Sequence, residues 1–318
     1  MSPGEILLEN FLQALTAGLL VGTIYGVMCV GLGLIFGVMR VINFAQGDFL
    51  MLGMYCSLYL IGGLGLTALF GPYVAPYVGA LLAGPVLFVG GYLLHRHLIS
   101  RVTGIRALGA ENEGHYTQLI LTLGVALVLE NGGLILFGSE PQSVRTPLSS
   151  RAWELGIGDD VSVFLNQARG YASLLAIVIG AALYLFIQRT RLGKSLRAAA
   201  DNPTAAIYMG IDVDRAHRVA FALGTAITAV AGGLVATSYS FQPYVGFDFV
   251  IIMYAGVVLG GMGSILGAFW GGLTIGMVQQ MSTLVLSPQL QNAAIFVIFL
   301  LVVLVRPQGL FGRSVERT

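Results

Sequence analysis

The sequence predicts an all-α, polytopic membrane protein of about eight to ten transmembrane helices, with glycine-rich broken or re-entrant segments. Three observations carry that expectation. Of 318 residues, 56% are hydrophobic and only 10% are charged, against roughly 25% charged in an average soluble domain. Mean hydropathy is +0.85, so the surface that should be polar faces lipid. Forty-four glycines, about twice the usual share, suit helices that pack backbone to backbone. This composition excludes an ordinary soluble enzyme. A net charge of +1 without a basic tract gives no reason to expect nucleic acid as a partner.

An apolar helix of about 20 residues rises roughly 30 Å and crosses the hydrocarbon core. Windows that qualify, or nearly so, run at about 11–36, 49–70, 74–94, 117–137, 171–188, 218–239, 249–262, 265–286 and 291–305, the seventh and ninth being short. Cytoplasmic loops are enriched in Lys and Arg. With the N-terminus outside, Arg40, the 95–116 loop, the 189–217 loop and the tail fall inside and hold 13 of the 16 basic residues. Only Arg145, Arg151 and Arg169 stay outside. The expected organisation is one membrane domain over 1–318, with an external loop at 138–170, a cytoplasmic loop at 189–217 and a cytoplasmic C-terminus. The N-terminal stretch carries Glu5 and Glu9 and lacks a basic n-region, so the first apolar segment is expected to be retained. Cys29 and Cys56 fall in apolar stretches and read as small hydrophobes.

Two places interrupt the apolar pattern. Val41 to Phe49 clusters Asn43, Gln46 and Asp48 between two hydrophobic runs, and Gly260 to Gly267 contains Gly261, Gly263 and Ser264. Lipid cannot satisfy freed N–H and C=O groups, so non-helical backbone at membrane depth must be buried in protein or line a watery cavity. Paired interruptions, one in each half, point to a translocation path. The alternative for Val41 to Phe49 is a polar turn at the cytoplasmic interface, with Arg40 among the headgroups. Gly18, Gly22 and Gly26, and again Gly263, Gly267 and Gly271, are spaced four apart and form flat stripes for helix packing. Glu130, beside Asn131, is the one carboxylate well inside a predicted span. An intramembrane acid is a candidate for function, although a hydrogen bond to a neighbouring helix would also explain it.

Several chemical motifs fail. Leu192 to Ser195 resembles the end of a P-loop, but Gln188 stands where the first glycine belongs and the preceding element is a membrane helix. GGMGSILG has Leu266 at the third glycine position of a dinucleotide fingerprint. His95, His97, His115 and His217 lack metal-ligand spacing. The reading is therefore no catalytic residue, no metal and no cofactor held by this chain.

The loop from Arg189 to Arg218 carries six basic and three acidic residues. Asn202 suits a helix cap, Pro203 the first helical position and Gly210 a left-handed stop, framing a helix of about seven residues. Thr204, Ala205, Ala206 and Gly210 give it a small-residue face, flanked by Ile207, Tyr208 and Met209. So short a helix is marginal alone in water. It must pack in a cleft of another protein or on the ends of its own spans.

These features resemble the membrane subunit of an ABC importer, whose cytoplasmic loop carries Glu-Ala-Ala-x-x-x-Gly; here Thr204 replaces the glutamate. Closer is the resemblance to the branched-chain amino acid ABC transporter permease family, in its LivH-like branch. It is carried by Ile42 to Asp48, Thr190 to Ala198, Met209-Gly210-Ile211, Gly260 to Ser264 with Gly267, and Arg306 to Gly312, in family order over essentially the whole chain. The family often has histidine where this chain has Gln46. The resemblance implies a permease subunit in a bacterial inner membrane that forms half of a pathway for branched-chain or related amino acids. It also implies a second LivM-like permease, two cytoplasmic ATPases that use ATP and magnesium, and an external substrate-binding protein. On that reading Asn202 to Gly210 would couple to an ATPase, aided by Arg191, Lys194 and Arg197. The breaks would line or hinge the path. The branch also covers importers of urea, short amides and aromatic acids. A secondary transporter acting alone is the reading from another class, with Glu130 its sole candidate for an ion site.

Overall fold

The computed structural model describes residues 3–101, 113–157, 161–306 and 308–311. Every window expected to be apolar carries a helix. The helices are α1 (Pro3–Met39), α2 (Gln46–Gly63), α3 (Leu66–His97), α4 (Glu113–Phe137), α5 (Gln167–Arg189), α6 (Arg191–Asp201), α7 (Pro203–Tyr208), α8 (Val213–Val235), α9 (Val245–Gly260), α10 (Ile265–Ser282) and α11 (Gln291–Val305). Among the described residues five of them, α1, α3, α4, α5 and α8, are long and apolar enough to cross a membrane by themselves. Helices α9 and α11 are apolar but shorter. The window at 49–70 is divided, because α2 stops at Gly63 and α3 begins at Leu66, then kinks where Gly71 takes φ 74° before Pro72.

Helices α1 and α8 form the centre. Their most apolar windows are 78% and 83% buried, against 22% for α4 and 28% for α5, which lie at the rim. Glycine makes the central contacts possible. A methyl group on Gly31 of α1 would strike Thr228 and the Gly224 carbonyl of α8, and one on Gly224 would strike Ile35. The stripe Gly18, Gly22, Gly26 lies along Met277, Leu273 and Phe269 of α10, antiparallel to it. The second stripe is split. Gly267 and Gly271 face Gly260 and Gly256 of α9, while Gly263 has open space beside it; Gly272 and Gly276, outside that stripe, are the glycines of α10 that meet α1.

The two halves of the bundle repeat one arrangement in inverted sense. α1 is followed by a non-helical stretch and the short α2, and α3 then packs on α8; α8 is followed by a non-helical stretch and the short α9, and α10 then packs on α1. Helices α2 and α9 start beside each other, with Gly47 against Gly246. That junction lies at mid-depth. Gln46 bonds to Thr228, and Thr228 abuts Gly31, which is eight residues before the end of α1, about 12 Å deeper than Met39.

The segment at 138–170 departs from an all-helical reading. It holds an antiparallel hairpin of β1 (Ala152–Ile157) and β2 (Val161–Asn166). The side chain of Gln13 fastens it to α1, donating to the Phe164 carbonyl at 2.7 Å and accepting from the Phe164 N–H at 2.9 Å. Both cysteines are free, Cys29 buried and Cys56 half-buried.

Candidate functional site: the mid-depth junction and the helical device at one end

The first interruption is a buried re-entrant segment, and the alternative of an interfacial turn does not describe it. Arg40 ends α1 with φ 53°, and residues 41–45 run back into the bundle without helical bonds. Their polar groups find partners inside. Asn43 donates to Gln46 Oε1 at 2.9 Å, and its Oδ1 accepts from the Ala45 N–H at 3.2 Å. Gln46 Nε2 donates to Thr228 Oγ1 at 2.6 Å and to the Gly224 carbonyl at 3.2 Å. The Thr122 hydroxyl of α4 donates to the Ile42 carbonyl at 3.2 Å. Asn43 and Gln46 are both fully buried. They tie the break to α8, which is how an irregular backbone survives at this depth.

Asp48 sits in the first turn of α2 and is 5% exposed. A methyl group on Gly246 would approach its Oδ1 to 2.8 Å. Glu130, half-buried on α4, lies within electrostatic reach of Asp48, so the structure draws these two carboxylates toward one region. Its neighbour Asn131 is exposed and donates to the Leu127 carbonyl at 2.7 Å.

Gly261, Gly263 and Ser264 lie elsewhere. They form the α9–α10 turn, where Gly261 and Gly263 take φ of 101° and 93° and Ser264 caps α10 by accepting from the Gly267 N–H at 3.0 Å. Gly37, near the end of α1, faces Gly263, which puts this turn at one end of the bundle, away from the Gly47–Gly246 junction. Residues 309–311 close over it. The N–H groups of Leu310 and Phe311 donate to the carbonyls of Leu259 and Gly260 at 2.8 and 3.1 Å, satisfying orphan carbonyls of α9. The true counterpart of the first break is the stretch from Ala236 to Tyr244, which the sequence reading passed over. Its signal is faint: Gly246-Phe247-Asp248-Phe249 echoes Gly47-Asp48-Phe49, and Pro243 stands before it.

At the end of the bundle that carries this turn, α6 and α7 form a device of two short helices joined at Asn202. The expected short helix is there. Asn202 caps α7 by accepting from the Ala205 N–H at 2.9 Å, Pro203 opens it, and Gly210 takes φ 79° beyond it. Preceding it, α6 is a helix where only a loop was foreseen. Thr190 caps it, and Gly193, Leu196 and Ala199 bury one face while Arg191, Lys194 and Arg197 lie on the exposed one. Arg197 also donates to Gln188 Oε1 at 2.8 Å, clasping α6 to α5. Ala206 corrects the expected docking face: it is 4% exposed and turned into the chain. The outward face consists of Thr204, Ala205, Ile207, Tyr208 and Met209, with Tyr208 85% and Met209 81% exposed.

An inverted pair of helical units around buried re-entrant segments, with a helical device projecting at one end, defines a multi-pass membrane permease. Residues 14–305 match the family described as the branched-chain amino acid transport system permease component. The chain belongs to that family of ABC transporter permeases. It is 30% identical to the high-affinity branched-chain amino acid transport system permease protein LivH of Salmonella typhimurium, over 95% of this chain and 96% of that protein. It is 28% identical to the corresponding BraD of Pseudomonas aeruginosa, over 96% of each. Among solved structures, PsaBC from Streptococcus pneumoniae in complex with Fab aligns over 95% of this chain and 96% of that one, at 15% identity and a TM-score of 0.48, a likeness too loose to carry an argument.

Proposed function

We propose that this chain is one of two membrane subunits through which an ATP-driven importer passes branched-chain or related amino acids. The second would be a LivM-like permease, and an external binding protein would deliver the substrate. Two ATPase subunits would hydrolyse ATP with magnesium on the α6–α7 side, which would be the cytoplasmic side of a bacterial inner membrane, along with the C-terminus. The carrying observation is α7. Large apolar side chains at Tyr208 and Met209 stand almost fully exposed on a capped helix beside the exposed cations Arg191 and Lys194. A helix of that kind suits a cleft in another protein.

On this reading ATP favours one of two arrangements of the inverted halves, and α7 carries the bias into α8, against which it packs. Asp48 and Glu130 would meet a solute near mid-depth. Asn43 and Gln46 act on the path by positioning its backbone. Gly261, Gly263 and Ser264 act as the hinge between α9 and α10. Family membership, together with the relatives named LivH and BraD, supports the substrate class.

The test is reconstitution of the complete complex in proteoliposomes with radiolabelled leucine. ATP-dependent uptake is expected, and it should fall at least tenfold in Tyr208→Ser/Met209→Ser while the chain still inserts and assembles with its partner permease. Uptake by this chain without any ATPase would overturn the proposal. Uptake of urea in place of leucine would overturn its substrate part alone.

A further inference from the structure

At the end of the bundle opposite α7 lies a cleft of about 550 Å³ between the 143–150 segment, the start of α5 and the 236–240 segment. Its walls are held rigidly. The Val144 N–H donates to the Ala236 carbonyl at 3.1 Å, the Ser149 hydroxyl to the Thr237 carbonyl at 2.7 Å, and Asn166 Nδ2 to the Ser149 carbonyl at 2.8 Å. Ligand sites are clefts of this size with a few convergent polar groups.

The chemistry of the lining is one-sided. Arg145 and Arg169 line it together with several serine and threonine hydroxyls, and no carboxylate does. Among the described residues neither guanidinium has an ion-pair or hydrogen-bond partner, although Arg169 is half-buried. Arg169 also stands in the first turn of α5, where no acid is present. A helix N-terminus already carries partial positive charge and favours anions, so a second cation there is unfavourable until an anion arrives. Beside the cations the wall changes character. Tyr239 lines the cleft, its ring lies 5.7 Å from Phe249, and Phe249 lies 6.0 Å from Tyr25. The cleft thus offers a charged, hydroxyl-rich wall with a single aromatic ring, Tyr239, in it, backed by the buried Phe249 and Tyr25.

We propose that this cleft binds a small carboxylate bearing an apolar tail, with Arg145 and Arg169 holding the carboxylate and Tyr239 flanking the tail. Guanidinium groups recognise carboxylates through paired hydrogen bonds. On the importer reading, on which this inference rests for its biological sense, the cleft is where an amino acid first meets the permease after the binding protein releases it.

The test uses the full chain in lipid nanodiscs without any partner protein, with empty nanodiscs as the blank. Saturation-transfer NMR would be recorded with isovalerate, isoamylamine, inorganic phosphate and L-leucine. Isovalerate and leucine are expected to bind, and isoamylamine is not. Arg145→Gln and Arg169→Gln should each weaken isovalerate binding by about tenfold or more, the size expected for a lost charged hydrogen bond. Arg169→Lys should retain part of it. Equal binding of isoamylamine and isovalerate, preference for phosphate, or unchanged binding in both glutamine variants would overturn the proposal. Its failure is separable from failure of the importer reading: ATP-driven leucine uptake with no isovalerate binding removes the cleft alone, and isovalerate binding without coupled uptake removes the importer alone.

Discussion

Gln46 is fully buried at the mouth of the re-entrant segment, and replacing it with leucine tests whether the segment is pinned to α8 by this side chain. The side chain donates to Thr228 Oγ1 at 2.6 Å and to the Gly224 carbonyl at 3.2 Å, and accepts from Asn43 Nδ2 at 2.9 Å. Gln46→Leu keeps the approximate volume and deletes all three bonds. At about 0.6 kcal/mol for an average side-chain bond in a membrane protein, the loss is roughly 2 kcal/mol. Stranding the buried amide of Asn43 and the Thr228 hydroxyl raises the expected cost to about 2–4 kcal/mol. Gln46→His keeps one donor and one acceptor and should lose less than half as much. Equilibrium unfolding of the purified chain in mixed SDS micelles measures both. A Gln46→Leu protein within about 0.5 kcal/mol of wild type would refute the argument that this network holds the break in place.

Gly22→Val should cost more than about 2 kcal/mol in the same assay, because its first added carbon would sit 2.6 Å from the Leu273 carbonyl oxygen; an unchanged midpoint would contradict the close α1–α10 packing. Asn202→Ala removes the α7 cap at about 1 kcal/mol, and the amides of 205–208 should exchange roughly fivefold faster, while Asn202→Ser restores protection. Ala206→Trp is expected to disturb the chain itself, since Ala206 is 4% exposed, whereas Tyr208→Ser/Met209→Ser should leave thermal stability intact and lose coupling. Equal stability of the Trp and wild-type proteins would show that α7 packs less closely than the geometry says.

Much of this architecture was legible because membrane helices announce themselves by composition over about 20 residues. The α7 device was legible for another reason. Its signals, Asn202, Pro203 and Gly210, are local and each acts within one turn. Helix α6 was legible but missed: Gly193, Leu196 and Ala199 recur every three residues opposite Arg191, Lys194 and Arg197, an amphipathic face hidden in a stretch that its charges mark as a loop. The second re-entrant segment was missed because residues 236–244, with Thr237, Ser238, Ser240, Gln242 and Pro243, read as an ordinary polar connector between two spans. GGMGSILG drew attention instead through its glycines, which serve a turn. Ala206 was given to a partner because a small residue fits equally well against either surface, and sequence carries no sign of which.

The sequence by itself determined that the chain lives in lipid, where most of its apolar helices lie, which end gathers the cations, and that a capped helix interrupts the basic loop. These follow from hydropathy, charge and short-range capping, which act over one to a few turns. Tertiary structure decided that Asn43 and Gln46 are buried and bonded, that Gly47 meets Gly246 at mid-depth, that Tyr208 and not Ala206 faces outward, and that Arg145 and Arg169 share a cleft. Each of these depends on which residues distant in the chain come together across the inverted halves, and close packing of whole helices fixes that pairing.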